Sequence, residues 1–486
     1  MNDLIEKEQN EVVRPTERED GWSLVKNHFL EVLRRVGIEP TKYEFEDFEN
    51  RLISGLWNKV KRERMDERLI VKNAVDSIPI MLPNGRVGEQ YRIEIEFSVE
   101  GVEDYEIAGL DAVGLVYEKT ENGFVVSGTA KPEDIKGGDF PLTLRYKPIG
   151  LLEGEEWLER KLTLILNPDP RTLWKDIPTS RDIEYFKDDS QMQYVKVPEK
   201  DGVSRKDIVA ASKRGRSHAH EGKPRDDHFL LHYCKETEWY IIAVADGAGS
   251  AKYSREGSRI ACETSVAHCK EALTSSSEFE NAIRLFADNS ESKEARKLVG
   301  DKIYSIVGNA ALKAHNAIKK EAERKEGAKM KDYATTLLLA ICKRFEYGWA
   351  VASFWVGDGA MCVYDAGKHT ADMLGMPDEG EFAGQTRFLT MSEIFADSTA
   401  FYQRLRFRIY PDFTALMLMT DGVSDPKFET DANLQNPNKW DALWKDLAEN
   451  GVDLTDDNEK SQEQLLNWLN FWDRGNHDDR TIAILY

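Results

Sequence analysis

Acidic residues recur in this chain where an apolar run stops. Ile241 to Ala245 leads into Asp246-Gly247, Phe354-Trp355-Val356 into Gly357-Asp358-Gly359, and Leu416 to Met419 into Thr420-Asp421-Gly422. Asp478-Asp479 precedes the closing apolar stretch Thr481 to Tyr486, and Asp226-Asp227 precedes Phe229 to Tyr233. Taken singly, each has a bland reading: Asp-Gly is a common turn dipeptide, and a pair of aspartates in a charged loop is usually solvated. Jointly they are different, because strand-end carboxylates scattered along a chain meet only if the fold aligns the strand ends. Hard carboxylate oxygens, a backbone carbonyl and waters favour Mn²⁺ or Mg²⁺ over zinc. Two such ions about 3.5–4 Å apart share a water and lower its pKa, so no protein nucleophile is needed.

The elements that must hold these residues are legible in outline. Short apolar runs at Phe229–Tyr233, Tyr240–Ala245, Thr336–Cys342, Trp349–Val356, Ala415–Met419 and Thr481–Tyr486 read as strands. Between them lie two long helical stretches. In Ser254 to Leu273, Ser258, Ala261, Ser265 and Cys269 form a small-residue stripe suited to packing on a sheet, and in Ser292 to Lys325, Ile303, Val307, Ala311, Ala314 and Ile318 share a face. Strands flanking sequential helices predict a layered α+β domain over 205–486.

The front half reads differently. Residues 1–72 are expected to be a helical segment, with Val25, Phe29, Val32, Leu33 and Val36 at helical spacing and Phe45, Phe48, Leu52, Ile53, Leu56 and Trp57 as a second stripe. Its charged start, 1–20, is expected to be mobile. Residues 75–168 alternate, as in Tyr91 to Phe97 and Leu142 to Tyr146, which predicts a small antiparallel sandwich. Asn167-Pro-Asp-Pro170, Pro178 and Pro198 mark 169–204 as a linker.

Composition excludes several classes. The net charge of −21, from 87 acidic against 66 basic residues, argues against general nucleic-acid binding, which depends on Lys and Arg neutralising phosphates. A metal-dependent nuclease is disfavoured for the same reason, and for want of a basic-aromatic groove signature. The five cysteines contain no Cys-x-x-Cys pair, which speaks against zinc ribbons, redox motifs and a disulfide framework. The first residues lack a signal-peptide pattern and no run of about 18 apolar residues exists, so a cytoplasmic protein without membrane contact is expected.

The order of the acidic motifs resembles the metal-dependent serine/threonine protein phosphatases of the PPM family, also called type 2C. That order is Arg225-Asp226-Asp227-His228-Phe229, Asp246-Gly247-Ala248-Gly249, Ala334-Thr335-Thr336, Val356-Gly357-Asp358, Thr420-Asp421-Gly422-Val423-Ser424-Asp425 and Asp478-Asp479-Arg480-Thr481. Gly215-Arg-Ser-His218, Gly222-Lys-Pro224 and Gly380 to Leu389 are similar to a bacterial subgroup of that family. The resemblance implies an α+β catalytic domain built as a central antiparallel β-sandwich flanked by helices. It implies two Mn²⁺ or Mg²⁺ ions and a phosphorylated serine/threonine protein as substrate. Asp246 would bridge the ions with help from the Gly247 carbonyl, Asp421 and Asp478 would complete one shell, and Asp226 and Asp227 would serve the other. Asp358 would join Asp421 at a weaker third site. Separately, Leu82 to Tyr91 with Gly123 to Thr129 resembles bacterial immunoglobulin-like domains, modules that bind or space.

Departures from the family pattern carry consequences. The acidic pair, usually Glu-Asp, is Asp226-Asp227 here; the histidine that many eukaryotic members place two residues after the bridging Asp is Ala248; and the usual phosphate-binding Arg position holds Gly222. Arg225, Lys223, Arg214 and Arg216 are the candidate substitutes for the phosphate anchor. His218 is a candidate acid or substrate contact, with His220 and His228 behind it. The rival reading is a pseudophosphatase that binds a phosphoprotein or a kinase. The front half is expected to dock a partner, such as a cognate serine/threonine kinase or regulator, and Tyr364 to Asp412 to form a flap-like insertion beside the site.

Overall fold

The strand Trp239–Ala245 is buried at every position, and its alternation shows why. Ile241, Ala243 and Ala245 face one core, while Tyr240, Ile242 and Val244 face another. A strand covered on both faces reads as one apolar run. It belongs to a five-stranded antiparallel sheet in the order His228–Cys234, Trp239–Ala245, Leu337–Phe345, Gly348–Val356 and Leu405–Tyr410. A six-stranded antiparallel sheet lies against it, in the order Thr370–Gly375, Ala360–Asp365, Ala415–Met419, Arg480–Leu485, Ile208–Lys213 and Ser190–Val195. Phe229, Ile242, Val244 and Leu338 of the first sheet share a core with Leu416, Leu418, Ala483 and Leu485 of the second.

Helices close both outer faces. The small-residue stripe of Ser254–Leu273 is fully buried, and Val307, Ala311, Ala314 and Ile318 pack into the same core. The stretch expected as a single helix over Ser292 to Lys325 is three pieces: Lys293–Ile303, a π-helical turn Tyr304–Gly308, and Asn309–Arg324. On the other side, Val423, Phe428, Trp440, Leu443, Leu465 and Trp468 cover the six-stranded sheet. The result is a mixed α/β unit of helix, sheet, sheet and helix layers.

In this computed structural model, the described residues are 19–39, 41–131, 134–151, 154–199, 205–378, 386–456 and 458–486. Most of the charged start and the first part of the Gly380 to Leu389 motif lie outside them. The chain divides into two compact units, Met1–Pro170 and Arg171–Tyr486. The first holds helices Glu19–Arg35 and Lys42–Ser77, a four-stranded sheet and a three-stranded sheet. Tyr91, Ile95, Phe124 and Val126 of the smaller sheet share one core with Leu142, Leu144, Tyr146, Leu164 and Leu166 of the larger. Val75, near the end of the long helix, is fully buried in that core.

Two further expectations change. Residues 169–204, read as a linker from their prolines, include the strand Ser190–Val195, an edge of the six-stranded sheet. Its alternation of half-buried and exposed residues is too weak to stand out in sequence. The Tyr364 to Asp412 stretch also does more than insert. Thr370–Gly375 completes one sheet and Leu405–Tyr410 completes the other, so this segment is the crossover between them. No helix among the described residues is long and apolar enough to cross a membrane.

Candidate active site

Antiparallel pairing brings the strand ends together. His228 pairs with Ala245, which sets the acidic pair beside Asp246. Ala360 pairs with Met419, which sets Asp358 beside Asp421, and Met419 pairs with Ile482, which brings Asp478-Asp479 to the same edge. Carboxylate oxygens of Asp246, Asp358 and Asp421 lie within 4.8 Å of one another. His218, Asp478 and Asp479 form a second group of the same span.

Small residues let these loops approach. A Cβ on Gly422 would sit 1.8 Å from the Asp479 carbonyl oxygen, and one on Gly247 would sit 2.7 Å from that of Asp226. Gly357 has φ +120°, where a side chain would be strained and would strike Thr336.

Hydroxyls fix the carboxylates. Thr420 Oγ1 and Thr481 Oγ1 donate to Asp227 Oδ2 at 2.9 and 2.6 Å. Thr335 Oγ1 donates to the Asp246 carbonyl at 2.7 Å, while the Asp246 amide donates to Thr336 Oγ1 at 2.8 Å. Thr386 Oγ1 donates to Asp358 Oδ2. Asp479, which sequence reading left out of the site, ties three segments together. Its Oδ1 accepts from the Gly215 amide at 2.6 Å and contacts His218 Nδ1 at 3.1 Å, and its Oδ2 accepts from the Asp226 amide.

The electrostatics are those of a site built for cations. Burial, then mutual repulsion, pushes the Asp246 carboxyl well above its usual range, with Asp421 the nearest cause after burial; Asp421 is raised in the same way. Burial and then Asp479 raise Asp226 to about 6 and Asp227 to about 7. Asp358 and Asp478 are also raised, chiefly by burial. Asp479 goes the other way: burial opposes its ionisation, but His218 and the Gly215 and Asp226 amides hold it low. Burial lowers His218, yet Asp479, Asp226 and Asp478 outweigh it and raise the imidazole to about 9.

Whether the residues fit divalent ions is answered by their unused atoms. The buried Oδ1 atoms of Asp226, Asp227, Asp358 and Asp421 have no hydrogen-bond partner, and the Arg255 guanidinium lies 3.8 Å from that of Asp226. Buried oxygen lone pairs without donors are costly, and hard cations are the ligands that match them. The donor set fits Mn²⁺ or Mg²⁺.

The cationic candidates fare unevenly. His218, on the short helix Arg216–Glu221, reaches the site, 3.8 Å from Asp226 Oδ2. Arg225 does not serve as an anchor: it is 2% exposed and donates to Ser212 Oγ, the Asp227 and Asp188 carbonyls and Gln191. Its guanidinium is held against the backbone of the acidic pair. Lys223 is half exposed and pairs with Glu221 at 2.5 Å, touching none of the aspartates. Arg214 is taken up by Asp176, Asp189 and Thr179, and Arg216 by the carbonyls of Asn470 and Phe471. His220 accepts from the Lys175 amide, and burial drives His228 down to about 2, so both are structural. Arg255, not foreseen, is the guanidinium that faces the acidic pair; its spacing within an ordinary amphipathic helix gave no signal.

The family model described as protein phosphatase 2C matches residues 214–470, a little over half of the chain. Among solved structures, the chain is similar to the catalytic domain of the serine threonine protein phosphatase PstP in complex with two manganese ions. That likeness has 15% identity, covers 57% of this chain and 96% of that one, and has a TM-score of 0.34. RsbX in complex with magnesium shows 15% identity over 61% of this chain and 100% of that one, with a TM-score of 0.29. The S. agalactiae serine/threonine phosphatase shows 14% over 57% and 98%, with a TM-score of 0.32. No curated protein matches the chain.

Proposed function

The chain belongs to the protein phosphatase 2C family, and from that premise we propose that it hydrolyses phosphoserine and phosphothreonine in proteins, using two Mn²⁺ or Mg²⁺ ions and no covalent intermediate. The observation that carries this reading is the convergence of Asp246, Asp358 and Asp421 within 4.8 Å with buried, unpartnered oxygens on the last two. The ions, when bound, supply Lewis acidity: they acidify water and neutralise phosphoryl charge.

The chain's own residues hold and orient. Asp246, anchored through its backbone by Thr335 and Thr336, would hold both ions, helped by the Gly247 carbonyl. Asp421 and Asp478 would help hold one ion, and Asp226 and Asp227 the other. Asp227 keeps Oδ1 free because two threonine hydroxyls occupy Oδ2. Asp358 with Asp421 would hold a weaker third ion. His218, whose imidazole is pushed up to about 9 against burial by Asp479, Asp226 and Asp478, would give a proton to the departing oxygen. Arg255, rather than Arg225, is the guanidinium that faces a carboxylate of the acidic pair. The 75–168 sheets are read as an immunoglobulin-like module that docks a kinase or regulator.

The test is phosphate release from a phosphothreonine peptide by wild type and Asp246→Asn with Mn²⁺, Mg²⁺ or EDTA. Metal-dependent release that the substitution lowers by at least about 10²-fold is expected, since a bridging ligand acts on both ions. A folded wild type that binds the peptide and releases nothing with any metal would replace this reading with a binding-only pseudophosphatase.

A further inference from the structure

Lys187 lies outside residues 214–470 and within the stretch that reads as a linker, yet its ammonium is enclosed beneath the acidic pair. Its stem keeps some exposure; its charged end does not. An ammonium has three donors, and this one has three acceptors: the Asp227 carbonyl at 2.9 Å, Ser258 Oγ at 3.0 Å and the Asp226 carbonyl at 3.3 Å. Those carbonyls have other donors, Arg225 for Asp227 and Ser258 for Asp226. The ammonium is therefore not needed merely to satisfy them. What it adds is a link among three elements: the acidic pair, the helix Ser254–Leu273 and the segment before the strand Ser190–Val195. The Asp226 carbonyl also abuts Gly247, so the same link bears on the Asp246-Gly247 loop. Neighbours of Lys187 reinforce it: the Glu184 and Tyr185 carbonyls accept from Arg255, and the Asp188 carbonyl accepts from Arg225. Desolvating an ammonium is costly, and a brace needed for stability alone would be served by an apolar side chain.

We propose that Lys187 is a positioning residue of the metal site, fixing the backbone of Asp226 and Asp227 against the helix Ser254–Leu273 so that their carboxylates face the divalent ions. The inference rests on the reading of the aspartates as metal ligands. Groups that orient ligands from behind typically change metal affinity about 10–100-fold when removed.

The experiment is calorimetric titration of Mn²⁺ into the metal-free full-length chain, wild type and Lys187→Met, alongside melting of the metal-free proteins and peptide turnover at several Mn²⁺ concentrations. The expected result is Mn²⁺ binding weakened about 10–100-fold in Lys187→Met, with the metal-free melting temperature retained. The phosphopeptide KM stays unchanged, and kcat recovers as Mn²⁺ is raised, a split that a general loss of structure would not produce. A folded Lys187→Met with Mn²⁺ affinity within about twofold of wild type, short of the 10–100-fold expected of an orienting group, overturns the proposal. If that variant does not fold, Ser258→Ala is measured instead: it removes one acceptor and leaves the charge, and wild-type affinity there overturns the proposal equally. Absence of Mn²⁺ binding by the wild type overturns the metal reading and this inference with it, whereas binding by wild type and an unchanged variant overturns the inference alone.

Discussion

At the scale of single residues, the site is a set of carboxylates held too close and too dry to ionise together. That has a consequence for the metal-free protein. Asp227 titrates near 7 in the fold, and Asp246 and Asp421 are raised well above their usual value. A carboxyl raised on folding stabilises the fold below its unfolded pKa and loses that contribution as pH climbs through the folded one. His228, depressed to about 2, works in the opposite sense, but only up to its unfolded pKa near 6.5. Lys187, which burial lowers to about 7, also works in the opposite sense above that value. Asp227, Asp246, Asp421 and His218, the last raised to about 9, outnumber it between about pH 6.5 and 8, so the melting temperature of EDTA-treated protein is expected to fall across that range. Saturating Mn²⁺ should remove the fall, because bound cations favour the ionised carboxylates. Melting curves at four pH values with and without Mn²⁺ check this, and a metal-free melting temperature that rises with pH would refute it.

At the scale of elements, the site exists because loops approach where no side chain intervenes. Gly422, the second residue of the helix Asp421–Phe428, lies against the carbonyl of Asp479. Gly422→Ala must push those two loops apart, and overpacking of this kind costs about 1–3 kcal/mol. Because Asp421 and Asp479 lie on the two loops displaced, Mn²⁺ affinity should drop along with stability. Chemical denaturation and calorimetry on the same variant report both. Gly300, with nothing near its absent Cβ, is the control: Gly300→Ala in the helix Lys293–Ile303 should leave Mn²⁺ binding intact and raise stability by about 0.5–1 kcal/mol. The positions of these contacts were not legible beforehand. Asp-Gly shows a turn in sequence; that the glycine of Asp421-Gly422 meets Asp479 is a fact of packing.

At the scale of the molecule, the unit Arg171–Tyr486 has its own cores and carries all the acidic motifs. A chain beginning at Arg171 should therefore retain metal-dependent turnover within about threefold, since separate domains can fold alone. A chain beginning at Arg205 loses the edge strand Ser190–Val195, Lys187 and the carbonyls that hold Arg255. It should lose Mn²⁺ affinity and become less stable. Comparable turnover by the two truncations would show that residues 171–204 are dispensable.

The sequence by itself determined which carboxylates end apolar strands, and the main strands themselves. A carboxylate after a fully buried strand shows in one dimension, as a polar residue at the end of an apolar run, and Asp246, Asp358 and Asp421 are marked that way. The helix Ser254–Leu273 followed from spacing for the same reason: burial of one face repeats at the helical period. Tertiary structure alone decided what the cations do. Arg225 turned inward to hold backbone, Lys223 stayed at the surface, and Arg255 and Lys187 came to the acidic pair from a helix and from a stretch that reads as a linker. A long charged side chain carries no periodic mark of its direction. Where its charge ends up depends on which carbonyls and carboxylates the folded chain sets within its reach.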